Sequence, residues 1–89
     1  MIKNLSKKVG ENVERKMLLH LRKKHDLTQR DLANKLGIST VYVRKLEKGV
    51  ANPGRETLVK YESFFNVDMK ELFPDLFFND NDKKFIKNS

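Results

Sequence analysis

The groups of this 89-residue chain that can act on another molecule are mostly cationic. Nineteen Lys and Arg stand against 12 Asp and Glu, for a formal charge of +7. Other chemistries are thinly represented. The chain has no cysteine, which removes a thiolate metal site, a cysteine nucleophile and a disulfide framework. His20 and His25 are the only imidazoles, and five residues of helix set them about 140° apart around the axis, so one helix cannot aim both at a metal. Asp80, Asn81 and Asp82 match a calcium loop only loosely, because Lys84 and Phe85 stand where an oxygen ligand and a glycine are needed. No serine has a triad-like context, no glycine-rich loop runs into Lys-Ser or Lys-Thr, and no carboxylate pair shares an evident pocket. No catalytic residue, metal or cofactor is therefore expected. What remains is attraction to a polyanion, with nucleic acid ahead of an anionic membrane.

The charge is unevenly placed. Residues 1–60 hold 15 basic and 6 acidic side chains, whereas residues 61–89 hold 4 and 6. Seven of the eight aromatics fall in the second stretch: Tyr61, Phe64, Phe65, Phe73, Phe77, Phe78 and Phe85, with only Tyr42 ahead of them. A basic front and an apolar, mildly acidic rear follow. The length allows one domain, and 38% hydrophobic residues allow one small core. Without covalent help, such a core favours close helix packing or a dimer that buries more surface. No apolar run nears the ~18 residues of a membrane span, and the N-terminus lacks a signal-peptide h-region, so a soluble, cytoplasmic module is expected. On charge alone an ordinary solvated basic surface is the lesser reading, and spacing must decide.

The elements that would position these charges read as helices throughout. Residues 1–10 form an arm with weak periodicity. From Glu11 the pattern turns helical, with Val13, Met17 and Leu21 at i, i+4, i+8 and Leu18 beside them, while Glu14, Arg15, Arg22 and Lys23 lie off that stripe. This helix fades near Lys24 to Asp26. Thr28 caps a second helix, boxed by Asp31, with Leu32, Ala33 and Leu36 inward and Gly37 as a left-handed stop. Ser39 caps a third, with Val43 and Leu46 inward and Gly49 at its end. Asn52-Pro53-Gly54 is a turn. A fourth helix spans about Arg55 to Phe65, its face made of Leu58, Tyr61 and Phe65, and Asp68 caps a short fifth through Phe73, stopped by Pro74. Residues 79–89 are a polar tail. The expected architecture is all-α with five helices: an arm at 1–10, a domain at 11–78 and the tail. Tyr61, Phe65, Leu72 and Phe73 are expected to be core, packing the fourth and fifth helices against the first.

Residues 28–49, TQRDLANKLGISTVYVRKLEKG, are the informative stretch. Two helices of about eight residues meet through a turn whose first residue is glycine. Ala33 is small where the helices must cross, Ile38 plugs the turn, and Val43 with Leu46 lock the second helix onto the first. That is a helix-turn-helix, in which the second helix is held so that its other face can enter a major groove. From Leu18 to Phe73 the chain resembles the lambda-repressor/Cro-like (XRE) family of helix-turn-helix DNA-binding proteins. The resemblance rests on Leu27-Thr28-Gln29, Leu32-Ala33, Leu36-Gly37-Ile38-Ser39, Val43, Leu46-Glu47, Gly49, Asn52-Pro53 and Leu58.

The resemblance implies a role for each matching position. Ser39, Thr40, Val41, Arg44 and Lys45 would read base edges, Thr40 through its hydroxyl, Val41 on a thymine methyl and Arg44 on guanine O6 and N7. Thr28, Gln29, Tyr42, Lys48 and Asn52 would touch the phosphate backbone. Arg22 and Glu47 would form a structural ion pair tying the first helix to the third. The region of the fourth and fifth helices would form a dimer contact, and Phe64, Phe77 and Phe78, more rings than one small core can hide, are its candidates. The implied function is a bacterial or phage transcriptional regulator, a repressor before an activator, binding a pseudo-palindromic operator as a homodimer. The alternative is a protein-interaction adaptor or antitoxin-type module that uses the rear aromatics, with DNA binding secondary.

Overall fold

Thr28 and Ser39 mark the two helix starts that the chain encodes most locally, and both cap as their side chains dictate. In the computed structural model, which describes residues 13–78, the Thr28 hydroxyl accepts the Asp31 N–H at 3.0 Å while the Asp31 carboxylate accepts the Thr28 N–H at 3.0 Å. This reciprocal box opens helix Gln29–Leu36. The backbone hydrogen bond from Thr28 holds the Asp31 carboxyl below its ordinary value. A depressed carboxyl stabilises the fold above its unfolded pKa, and that contribution disappears as pH falls through the folded value. Thr28→Ala should cost about 1 kcal/mol in urea denaturation at neutral pH. Most of the acid dependence should survive in the variant, because alanine keeps the backbone N–H that the Asp31 carboxylate accepts.

Among the described residues there are six helices and no strand: α1 Lys16–Lys24, α2 Gln29–Leu36, α3 Thr40–Lys48, α4 Arg55–Phe65, α5 Met69–Leu72 and α6 Pro74–Phe77. Glycines stop α2 and α3 in the same way. Gly37 (φ 71°) and Gly49 (φ 79°) take the left-handed conformation. The following residue then donates back into the last turn, Ile38 N–H to Ala33 O at 3.0 Å and Val50 N–H to Lys45 O at 2.9 Å. Both ends are Schellman motifs.

The chain divides into two compact units, Met1–Asn52 and Pro53–Ser89, so the boundary falls inside the Asn52-Pro53-Gly54 turn. In the first unit, α2 and α3 pack on each other and α1 packs on α3. Leu18 and Leu21 of α1, Leu32, Ala33 and Leu36 of α2, and Val43 and Leu46 of α3 are buried. In the second unit Tyr61, Phe65, Leu72 and Phe73 are buried, with Tyr61 and Phe73 edge to face at 5.5 Å.

Four details depart from the sequence reading. The first helix starts at Lys16, not Glu11, and residues 13–15 lie outside it as a short strap. Val13 is therefore 73% exposed, Met17 is at the surface, and the inward stripe is Leu18, Leu21 and Arg22. Arg15 and Arg22, expected off the apolar stripe, are both buried. In α4 the inner position is Thr57, with Leu58 half-buried. Pro74 does end α5, but its fixed φ also suits a first helical position, and it opens α6, a helix beyond the five expected. The arm at 1–10 and the tail at 79–89 lie outside the described residues.

Candidate nucleic-acid interface

Helix α3 is two-sided by its own spacing. Val43 and Leu46 are fully buried and Glu47 nearly so. Val41, Arg44, Lys45 and Lys48, at i, i+3, i+4 and i+7, are exposed, with Val41 at 49%. Three cations and one apolar side chain thus line one solvent-facing stripe. Ser39 sits at the N-cap, its hydroxyl accepting the Tyr42 N–H at 3.0 Å. Thr40 and Tyr42 flank the stripe, each half-buried. The cations Lys45 and Lys48 fall in the last turn, where the helix dipole favours positive charge.

What fixes α3 in place is a charged network. Arg22 Nε donates to Glu47 Oε2 at 2.6 Å and its Nη2 to Glu47 Oε1 at 3.1 Å, a two-pronged pair between α1 and α3. A third bond from Arg22, Nη1 to Leu27 O at 3.0 Å, holds the loop before α2. Gln29 Nε2 also donates to Glu47 Oε1 at 3.0 Å. One carboxylate therefore gathers the first helix, the start of the second and the third. Thr28 and Gln29, the backbone-contact candidates at the start of α2, stand on that fixed framework.

Arg15, buried beneath the candidate interface, supports the end of α3, a role that helical spacing did not predict. Its N–H donates to Glu47 O at 2.8 Å, and its guanidinium donates to Leu46 O, Ala51 O and Asn52 Oδ1, each at 2.8 Å. The strap thus ties the end of α3 to the 49–52 loop, and Asn52, a phosphate-contact candidate, already accepts a bond inside the protein. Gly49 makes the crossing possible: a Cβ there would run into the Val13 carbonyl. Helical periodicity carries no signal for such a contact, because it depends on residues more than 30 positions away.

The dimer candidates lie in the second unit. Phe64 and Phe77 are half-buried, Phe64 stacking edge to face on Phe65 at 5.0 Å, and Phe78 is 56% exposed. Among the described residues no group of three or more His, Cys, Asp or Glu side chains is placed to hold a metal ion. No helix among them is long and apolar enough to cross a membrane.

A family profile described as helix-turn-helix matches residues 18–72, a stretch that takes in α1 to α5. A protein of Methanocaldococcus jannaschii, named as an uncharacterized HTH-type transcriptional regulator, is 39% identical over 56 residues, covering 63% of this chain and 85% of the relative. No solved structure matches the chain. With its two capped helices locked at a glycine turn and its matching span, the chain belongs to the lambda-repressor/Cro-like (XRE) family of helix-turn-helix proteins.

Proposed function

We propose that this DNA-binding transcriptional regulator is a cytoplasmic repressor that binds a pseudo-palindromic operator as a homodimer. The observation that carries the reading is the outward stripe of α3, Val41, Arg44, Lys45 and Lys48, on a helix whose other side is buried and pinned through Glu47. Phosphate contacts from the basic front supply affinity, and α3 supplies sequence discrimination. Thr28, Gln29, Tyr42, Lys48 and Asn52 are the proposed phosphate contacts; Ser39, Thr40, Val41, Arg44 and Lys45 are the proposed base readers. The outer face of α2 presents Arg30 and Lys35, and its one carboxylate, Asp31, is engaged in the capping box, which favours repression over contact with polymerase through acidic residues.

Arg44→Ala should weaken binding roughly 5- to 150-fold and relax preference at one base pair in each half-site. Gel-shift titrations against a graded set of site variants read both effects, and unchanged affinity with unchanged specificity removes the assignment. Selective binding should persist at ~150 mM salt. Purely nonspecific binding that collapses there would instead favour the adaptor.

The exposed Phe78 ring, with Phe64 and Phe77 half-buried, supports a two-fold contact through the second unit. The two recognition helices would then lie about 34 Å apart, one duplex turn. Phe78→Glu should shift sedimentation toward the monomer and reduce affinity for a full site to near that of a half-site. An unaltered dimer would move the contact elsewhere.

A further inference from the structure

The outward face of α3 is restricted in its hydrogen-bonding chemistry. Among its exposed side chains there is no carboxylate, carboxamide or imidazole: Val41 is apolar and Arg44, Lys45 and Lys48 can only donate. The helix has one acceptor side chain of that kind, Glu47, and it is 2% exposed and bonded to Arg22 and Gln29. Gln29, the carboxamide at the start of α2, donates to the same carboxylate.

These absences restrict what can be read directly. In the major groove, adenine offers a donor beside an acceptor and is matched by Asn or Gln, while cytosine offers only a donor and is matched by Asp or Glu. Neither class of side chain is present on the outward stripe. Guanine offers two adjacent acceptors and suits Arg44, and thymine offers a C5-methyl that suits Val41. The hydroxyls of Ser39 and Thr40 serve either donors or acceptors and add no preference. Val41 and Arg44 are three residues apart, about 4.5 Å along the helix, so their bases lie within about two pairs of each other at roughly 3.4 Å per step.

Resting on the operator-binding reading above, we infer that the outward stripe of α3 reads each half-site through guanine, bonded by Arg44 and within the donor chemistry of Lys45, and through one neighbouring C5-methyl group at Val41, with no side chain matched to adenine or cytosine. Val41 has no polar atom to tell O4 of thymine from N4 of cytosine. It recognises the methyl and not the base. A 5-methylcytosine at that position should therefore be accepted like thymine.

The test begins with selection of the full chain on a random-sequence duplex pool, followed by gel shifts on the enriched duplex with single substitutions. Replacing the enriched guanine by 7-deazaguanine should weaken binding by roughly 5-fold, because Arg44 loses the N7 acceptor and keeps O6. Replacing the neighbouring thymine by uracil should cost about fourfold, the effect of one methyl group. Cytosine at that position should bind like uracil, and its 5-methyl form should recover the loss. Val41→Ala should diminish the methyl effects and leave the guanine effect intact. Indifference to uracil, or a dominant loss on replacing an adenine by 7-deazaadenine, overturns the inference while leaving an operator-binding protein. Absence of any enriched sequence overturns the operator reading, and this one with it.

Discussion

Substituting Arg22 by Met should lower the free energy of unfolding by about 3–5 kcal/mol, a large part of what a small domain holds in total. The size follows from burial. Arg22 and Glu47 are 9% and 2% exposed, and removing the guanidinium leaves a carboxylate in the core with only the Gln29 amide facing it among its bonded side chains. The attraction within the pair is not the main quantity, because two ions also lost their water when the chain folded. What the single substitution exposes is the expense of a stranded charge. Glu47→Leu on top of Arg22→Met should therefore recover much of the loss. Urea midpoints of the four proteins form the cycle, and a double substitution as unstable as the sum of the singles contradicts the account. The recovered protein has a further use. Gln29 no longer has its acceptor, so stability returns without the fixed carboxamide, and any deficit in DNA affinity measures what that placement contributes.

Gly49→Ala is expected to be the second severe change, with two causes that a third protein separates. Its φ of 79° costs an L-residue about 1–2 kcal/mol. Its added Cβ also meets the backbone carbonyl of Val13, which cannot turn aside as a flexible side chain would. Accommodating the methyl means lifting the strap, and Arg15 then loses contacts with Leu46, Ala51 and Asn52. Asn tolerates the left-handed conformation but still carries a Cβ. If conformation dominates, Gly49→Asn should behave almost as wild type in thermal denaturation. If the crossing dominates, as the geometry requires, Gly49→Asn should be nearly as unstable as Gly49→Ala. Arg15→Met should add little to either, because the same bonds are already broken.

The parts of this fold that can be read in the sequence are those decided within a few residues. Thr28 with Asp31, Ser39, Gly37 and Gly49 each satisfy backbone groups three to five positions away, so residue type and spacing suffice. The two faces of α3 are equally local, since a 3.6-residue period sends Val43 and Leu46 one way and Val41 and Arg44 the other. The start of α1 is different. Val13, Met17 and Leu21 keep helical spacing, yet residues 13–15 leave the helix because the Arg15 backbone and guanidinium find partners at the end of α3. The same reason hides the inner engagement of Asn52 and Gln29, whose residue types suit a phosphate contact as well as they suit Arg15 and Glu47. Pro74 is a third case: the residue that forbids one helix is also well shaped to begin another, and only the chain that follows decides.

The strap also bears on the order in which the protein assembles. Arg15 meets Leu46, Ala51 and Asn52 across 31, 36 and 37 residues, whereas α2 and α3 adjoin in the chain and are capped by bonds spanning three. Distant partners close a larger loop and lose more chain entropy before any bond rewards them. The helix pair can therefore form first and the strap settle onto it afterwards. Bonds absent from the folding transition state do not change how fast the chain folds; they govern how fast it comes apart. Arg15 and Gly49, neither of them on the exposed stripe of α3, are on this ordering the residues whose loss should shorten the lifetime of the folded helix.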